Sequence, residues 1–132
     1  MSKSIGLYLH IPFCKSKCPY CDFYSTRASE YEYNDYVIAL KEKLKYWSNH
    51  FNGTVKTVYI GGGTPSVLGA ERLCDILSSV KENFTLESNA EITVEVNPDS
   101  GKKLDFALMK NTGFNRLSIG MQSAVSAELQ KL

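Results

Sequence analysis

Gly6-Leu7-Tyr8-Leu9-His10-Ile11-Pro12-Phe13-Cys14 is the stretch on which the reading of this chain turns. Leu7, Leu9 and Ile11 alternate with Tyr8 and His10, the period of a β-strand with two unlike faces. Pro12 closes the strand, and a loop carrying Cys14, Cys18 and Cys21 follows at once. Working outward, apolar residues recur at helical spacing at Tyr36, Val37, Leu40, Leu44, Trp47 and Phe51, and Asn52-Gly53 stops that helix. Val55 to Ile60 reads as a second strand and ends in Gly61-Gly62-Gly63-Thr64-Pro65.

The pattern then repeats. Leu73, Ile76, Leu77, Val80 and Phe84 mark a second helix. Ile92, Val94 and Val96 mark a third strand, closed by Asn97-Pro98-Asp99. A short helix over 104–110 leads to a fourth strand over 116–121, and Ser126 is placed to cap one more helix. Strands alternating with helices predict an α/β fold with a parallel sheet and right-handed crossovers. Nothing in the chain looks like a linker, a repeat or a low-complexity tract.

Composition narrows the class. The 132 residues are 43% hydrophobic and 22% charged, with a net charge of +1. Those proportions belong to a folded globular chain. They advertise no nucleic-acid surface. No apolar run reaches the roughly 18 residues of a membrane span, so an integral membrane protein is not expected. Three of the four cysteines fall within eight residues and no signal peptide is evident, which favours a cytoplasmic metal-binding loop over a secreted disulfide scaffold.

Three thiolates from one loop select zinc, copper(I) or an iron–sulfur cluster. A closed zinc site needs a fourth ligand. The candidates His10, His50 and Cys74 stand at no zinc-like spacing. A [4Fe–4S] cluster held by three cysteines would leave one iron open for a small molecule. Phe13, Tyr20 and Phe23 flank the cysteines and would shield such a cluster, or simply pack a core. The glycine run lacks the Lys-Ser/Thr of a phosphate loop and the spacing of a dinucleotide fingerprint. It suits close backbone approach to a ligand, with an ordinary strand-to-helix turn as the plainer alternative. Glu95 shares a strand face with Glu91 and Thr93 near the strand's carboxyl end, where barrel folds place ligand-handling groups. A solvated edge strand is the plainer alternative.

Tyr8-Leu9-His10-Ile11-Pro12-Phe13-Cys14 followed by Cys18-Pro19-Tyr20-Cys21-Asp22-Phe23 resembles the radical S-adenosylmethionine superfamily. Within it, the chain is similar to the group of oxygen-independent coproporphyrinogen III oxidases and related haem chaperones. The resemblance implies a partial (β/α)6 barrel, here ending after about four strands, with residues 1–132 as its amino-terminal part. It implies Cys14, Cys18 and Cys21 as ligands of a [4Fe–4S] cluster. It implies S-adenosylmethionine contacts at Tyr8, Tyr20, Gly62, Gly63, Thr64, Glu95 and Gln122. One-electron cleavage of the bound sulfonium to a 5′-deoxyadenosyl radical is the chemistry expected of that set. An electron donor, haem or a porphyrin, and a haem-accepting protein are the expected partners. The porphyrinogen oxidases carry an extra cysteine where this chain has Phe23, and a longer segment before the cluster motif. Both departures favour the haem-chaperone branch, with oxidative decarboxylation of coproporphyrinogen as the alternative.

Overall fold

The computed structural model describes residues 3–15, 19–21 and 25–131; Cys18 and Phe23 lie outside the described residues. Strand β1 (Lys3–Ile11) is followed by helix α1 (Glu30–Ser48), strand β2 (Gly53–Gly62), a 3-10 turn (Pro65–Leu68) and helix α2 (Ala70–Asn83). Strand β3 (Thr85–Val96), the single turn α3 (Pro98–Gly101), helix α4 (Phe106–Thr112), strand β4 (Arg116–Ile119) and the turn α5 (Ser126–Leu129) complete the order. The strands form one parallel sheet in the order β1-β2-β3-β4. This is the α/β arrangement that the alternating pattern predicts.

One face of the sheet is the core. Leu9, Ile11, Val58, Ile60, Val94 and Val96 bury against Leu73, Ile76, Leu77 and Val80 of α2. Complete burial of such side chains contributes about 1.5–3 kcal/mol each. That sum outweighs a helix cap, and α2 has no side-chain cap at all at Gly69. Packing, together with the Arg72–Glu30 and Lys41–Asp75 ion pairs to α1, holds α2. Helix α1 is different: over 19 residues it buries only Tyr33, Val37 and Leu44, and it starts with a capping box between Ser29 and Glu32.

Several boundaries differ from the sequence reading. Helix α1 begins at Glu30, six residues before the apolar stripe that starts at Tyr36, because the Ser29 box starts it. Trp47 is 57% exposed rather than part of the buried stripe, and its ring meets Tyr46 edge-on. Strand β3 starts at Thr85, seven residues before the alternation at Ile92, since Thr54 and Val55 pair with Thr85 and Leu86. Ser126 is the first residue of α5 and not its cap, which is Val125; the Ser123 hydroxyl accepts the Val125 amide instead. Strand β3 runs between β2 and β4, so Glu95 does not stand on an edge strand.

The second face of the sheet carries polar side chains in register. Tyr8 pairs with Tyr59, Tyr59 with Thr93, and Thr93 with Arg116; one step toward the carboxyl ends, Glu95 pairs with Ser118. No helix among the described residues is long and apolar enough to cross a membrane.

Candidate functional site

The cysteine loop is pinned where it leaves and rejoins the sheet. The Cys14 amide donates to the Thr26 carbonyl at 3.1 Å, and the Thr26 amide donates to Pro12 at 2.7 Å. On the opposite side, the amides of Gly63 and Thr64 donate to the carbonyls of Ile11 (2.8 Å) and Phe13 (2.6 Å). The backbone of Pro12 to Cys14 is therefore clamped between the loop's return and the end of β2. The Phe13 ring packs in the core, 5.0 Å from the Tyr33 ring and 5.1 Å from that of Tyr36.

This clamp explains the glycine run. A Cβ on Gly63 would stand 2.5 Å from the Phe13 carbonyl oxygen. One on Gly62, which has φ +118°, would stand 2.7 Å from that of Ile11. One on Gly61 would stand 2.7 Å from the Tyr59 ring and 3.1 Å from the Glu95 carboxyl carbon. All three glycines make room for the chain's own atoms.

A cleft of ≈ 380 Å³ opens over the carboxyl ends of the strands, lined among others by Cys14, Cys21, Gly62, Thr64, Glu95 and Gln122. Tyr20 and Gly63 stand on the same wall. The Tyr20 hydroxyl donates to Gln122 Oε1 at 3.0 Å, joining the cysteine loop to the segment after β4. Gln122 has φ 64°, the one positive value at a non-glycine residue among those described. Tyr8 does not line the cleft. It lies one register step behind, stacked on Tyr59 at 6.1 Å, with its hydroxyl 3.0 Å from His10 Nδ1. Cys18 lies outside the described residues, so the wall holds two of the three expected thiols.

Glu95 is the acidic group of the cleft, and β2 holds both of its oxygens. Tyr59 donates its hydroxyl to Oε1 at 2.7 Å, and the Gly62 amide donates to Oε2 at 3.2 Å. The Tyr59 hydroxyl is pushed above its ordinary value, chiefly by this bond to Glu95 and then by burial. Tyr8 is raised as well, by burial first and the Glu95 charge second. Both phenols stay protonated at neutral pH, and Tyr59 donates to Glu95. Tyr59 and Ser118 escaped the sequence reading. Their signal was parity with Glu95 across neighbouring strands, which needs the register to be known.

The other candidate metal ligands sit elsewhere. Cys74 is buried on α2 within the core. His50 is at the end of α1, its Nδ1 2.8 Å from the Tyr46 carbonyl. Neither lines the cleft, which removes two of the three candidates for the fourth ligand of a zinc site. The side chains that remain around the cleft, two thiols with a carboxylate and an amide, suit a cluster with an amino-acid-bearing ligand beside it.

Comparison with known proteins agrees with this geometry. The sequence profile of the Radical SAM superfamily matches residues 8–132. The chain is 40% identical over 131 residues to a protein named heme chaperone HemW from Mycobacterium tuberculosis, covering 96% of this chain and 34% of that protein. It is 41% identical over 130 residues to the heme chaperone HemW of Escherichia coli K12, covering 97% and 34%. Among solved structures, coproporphyrinogen III oxidase (HemN) of Escherichia coli, a radical SAM enzyme, superposes with a TM-score of 0.86 at 28% identity. That match covers 98% of this chain and 30% of the other. The chain thus spans about a third of the length of the relatives it matches, and its four-stranded sheet is part of the same barrel. With the profile matching from Tyr8 onward and the sheet superposing on a known member, the chain belongs to the radical SAM superfamily.

Proposed function

We propose that residues 1–132 form the amino-terminal part of a radical SAM core that binds a [4Fe–4S] cluster and S-adenosylmethionine, in a protein that binds and delivers haem. The observation that carries the reading is the cleft itself, where Cys14 and Cys21 face Thr64, Glu95 and Gln122 across one opening. Cys14, Cys18 and Cys21 would hold the cluster. The Gly62–Thr64 backbone, Glu95, Gln122, Tyr20 and, behind them, Tyr8 would hold the nucleoside and amino-acid portions of S-adenosylmethionine. Bound together, the two supply one-electron reductive chemistry. The protein's part is to position the groups and keep the site dry. Reduced cysteine ligands suit a cytoplasmic setting. A low-potential electron donor and a haem-accepting protein complete the expected partners.

The identity of 40–41% to two heme chaperones supports delivery of haem over porphyrinogen oxidation, as does Phe23 in place of a further cysteine. The test is anaerobic reconstitution of the full-length protein. About four irons per chain are expected, lost in a Cys18→Ala variant. Haem should bind stoichiometrically, and coproporphyrinogen should be recovered unchanged. Vinyl-bearing products above the Cys18→Ala background would transfer the assignment to the oxidase.

A further inference from the structure

We propose that Tyr59 is a positioning residue: its hydroxyl holds the Glu95 carboxylate in the orientation in which the cleft receives S-adenosylmethionine. The inference rests on the cofactor reading above and extends it to a residue outside the cleft wall. Glu95 lines the cleft and Tyr59 does not, so Tyr59 acts only through its neighbour.

The geometry is closed on every side. Tyr59 presents its ring to Tyr8 of β1 at 6.1 Å and 25°, and its hydroxyl to Glu95 of β3 at 2.7 Å. Ser118 of β4 lies beside the same hydroxyl and partly offsets its upward shift. The direction of the bonds follows from chemistry. An ionised carboxylate only accepts, so Tyr59 donates to Glu95 and the Gly62 amide does the same. With the Gly62 amide on the second oxygen at 3.2 Å, the carboxylate has a donor at each end and one orientation. Gly61 is the enabling residue. A side chain there would sit between the Tyr59 ring and the Glu95 carboxyl, and part them.

The test is a double-mutant cycle on the full-length, anaerobically reconstituted protein, read as the dissociation constant for S-adenosylmethionine at matched cluster content. Tyr59→Phe keeps the ring on Tyr8 and removes the hydroxyl; it should weaken binding about tenfold, the usual scale for one charge-assisted hydrogen bond. Glu95→Ala should weaken it at least as much. The double variant should bind no worse than Glu95→Ala alone, because without the carboxylate Tyr59 has nothing to orient. Gly61→Ala, with both side chains intact, should reproduce the Tyr59→Phe loss. Losses that multiply in the double variant, or a Tyr59→Phe protein that binds as the parent does, would overturn the inference and leave the cofactor reading standing. A parent protein that fails to bind S-adenosylmethionine would overturn both.

Discussion

Gly63 shows how a single position serves the site without touching a ligand. The atoms a side chain would meet there are the Phe13 carbonyl oxygen at 2.5 Å, its carbon at 3.0 Å and the Phe13 nitrogen at 3.1 Å. All are backbone, and all belong to the clamped segment that presents Cys14. No rotamer can relieve the overlap, so Gly63→Ala must push β1 and β2 apart. We expect a loss of about 1–3 kcal/mol, the usual cost of overpacking, measured by urea denaturation. A loss under about 0.5 kcal/mol, the scale of an ordinary surface substitution, would show that the clamp yields. The cysteines were legible in the sequence because their meaning lies in spacing along a few residues. The glycines read as a place for close backbone approach to a ligand, or as a plain strand-to-helix turn. The partners of Gly62 and Gly63 lie at the end of β1 and just beyond it, some fifty positions earlier, and those of Gly61 are Tyr59 and Glu95; no local pattern announces either approach.

Strand β3 shows where pattern reading stops at the level of elements. Its apolar alternation begins at Ile92, but the ladder begins at Thr85. The added segment, Thr85 to Asn89, has no alternating apolar signal, and it is held partly by a polar device. Glu87 accepts hydrogen bonds from Ser4 of β1 at 2.6 Å and Thr54 of β2 at 2.9 Å, fastening three strands at their amino ends. These bonds, Ser4 foremost, hold the Glu87 carboxyl below its ordinary range, and Lys56 adds to the effect. A carboxyl lowered in the folded state stabilises the fold above the unfolded value, about 4.3 for Glu, and loses that effect as pH falls through the lowered value. The parent protein should therefore exceed Glu87→Gln in urea midpoint at pH ~6, and the gap should narrow on acidification. A gap that is flat with pH would mean that the hydroxyls hold the neutral amide equally well. The core face needed no such device, and there the alternation of Ile92, Val94 and Val96 was a sufficient guide.

Across the whole molecule, the order β1-β2-β3-β4 gathers the ends of β1, β2 and β3 and the segment after β4 around one cleft, while leaving β4 at the border of the sheet. The order of helices and strands was legible from periodicity. The convergence of Tyr20 and Gln122 across 102 positions was not, because it depends on how the strands pair. That same pairing leaves β4 bound to β3 on one side only, among the described residues. Its border is apolar: Ile119 is 57% exposed and Met121 65%, with Leu117, Val125 and Leu129 also open to solvent. Unpaired strand edges with apolar side chains recruit further strands or further copies. The 132-residue chain on its own should then self-associate, its weight-average mass in sedimentation rising with concentration. Ile119→Lys places a charge on that border and should return the chain toward monomer, since buried edges do not accept an unpaired lysine. A parent chain that stays monomeric at high concentration and unfolds in one cooperative step would show that this border is tolerated without a cover.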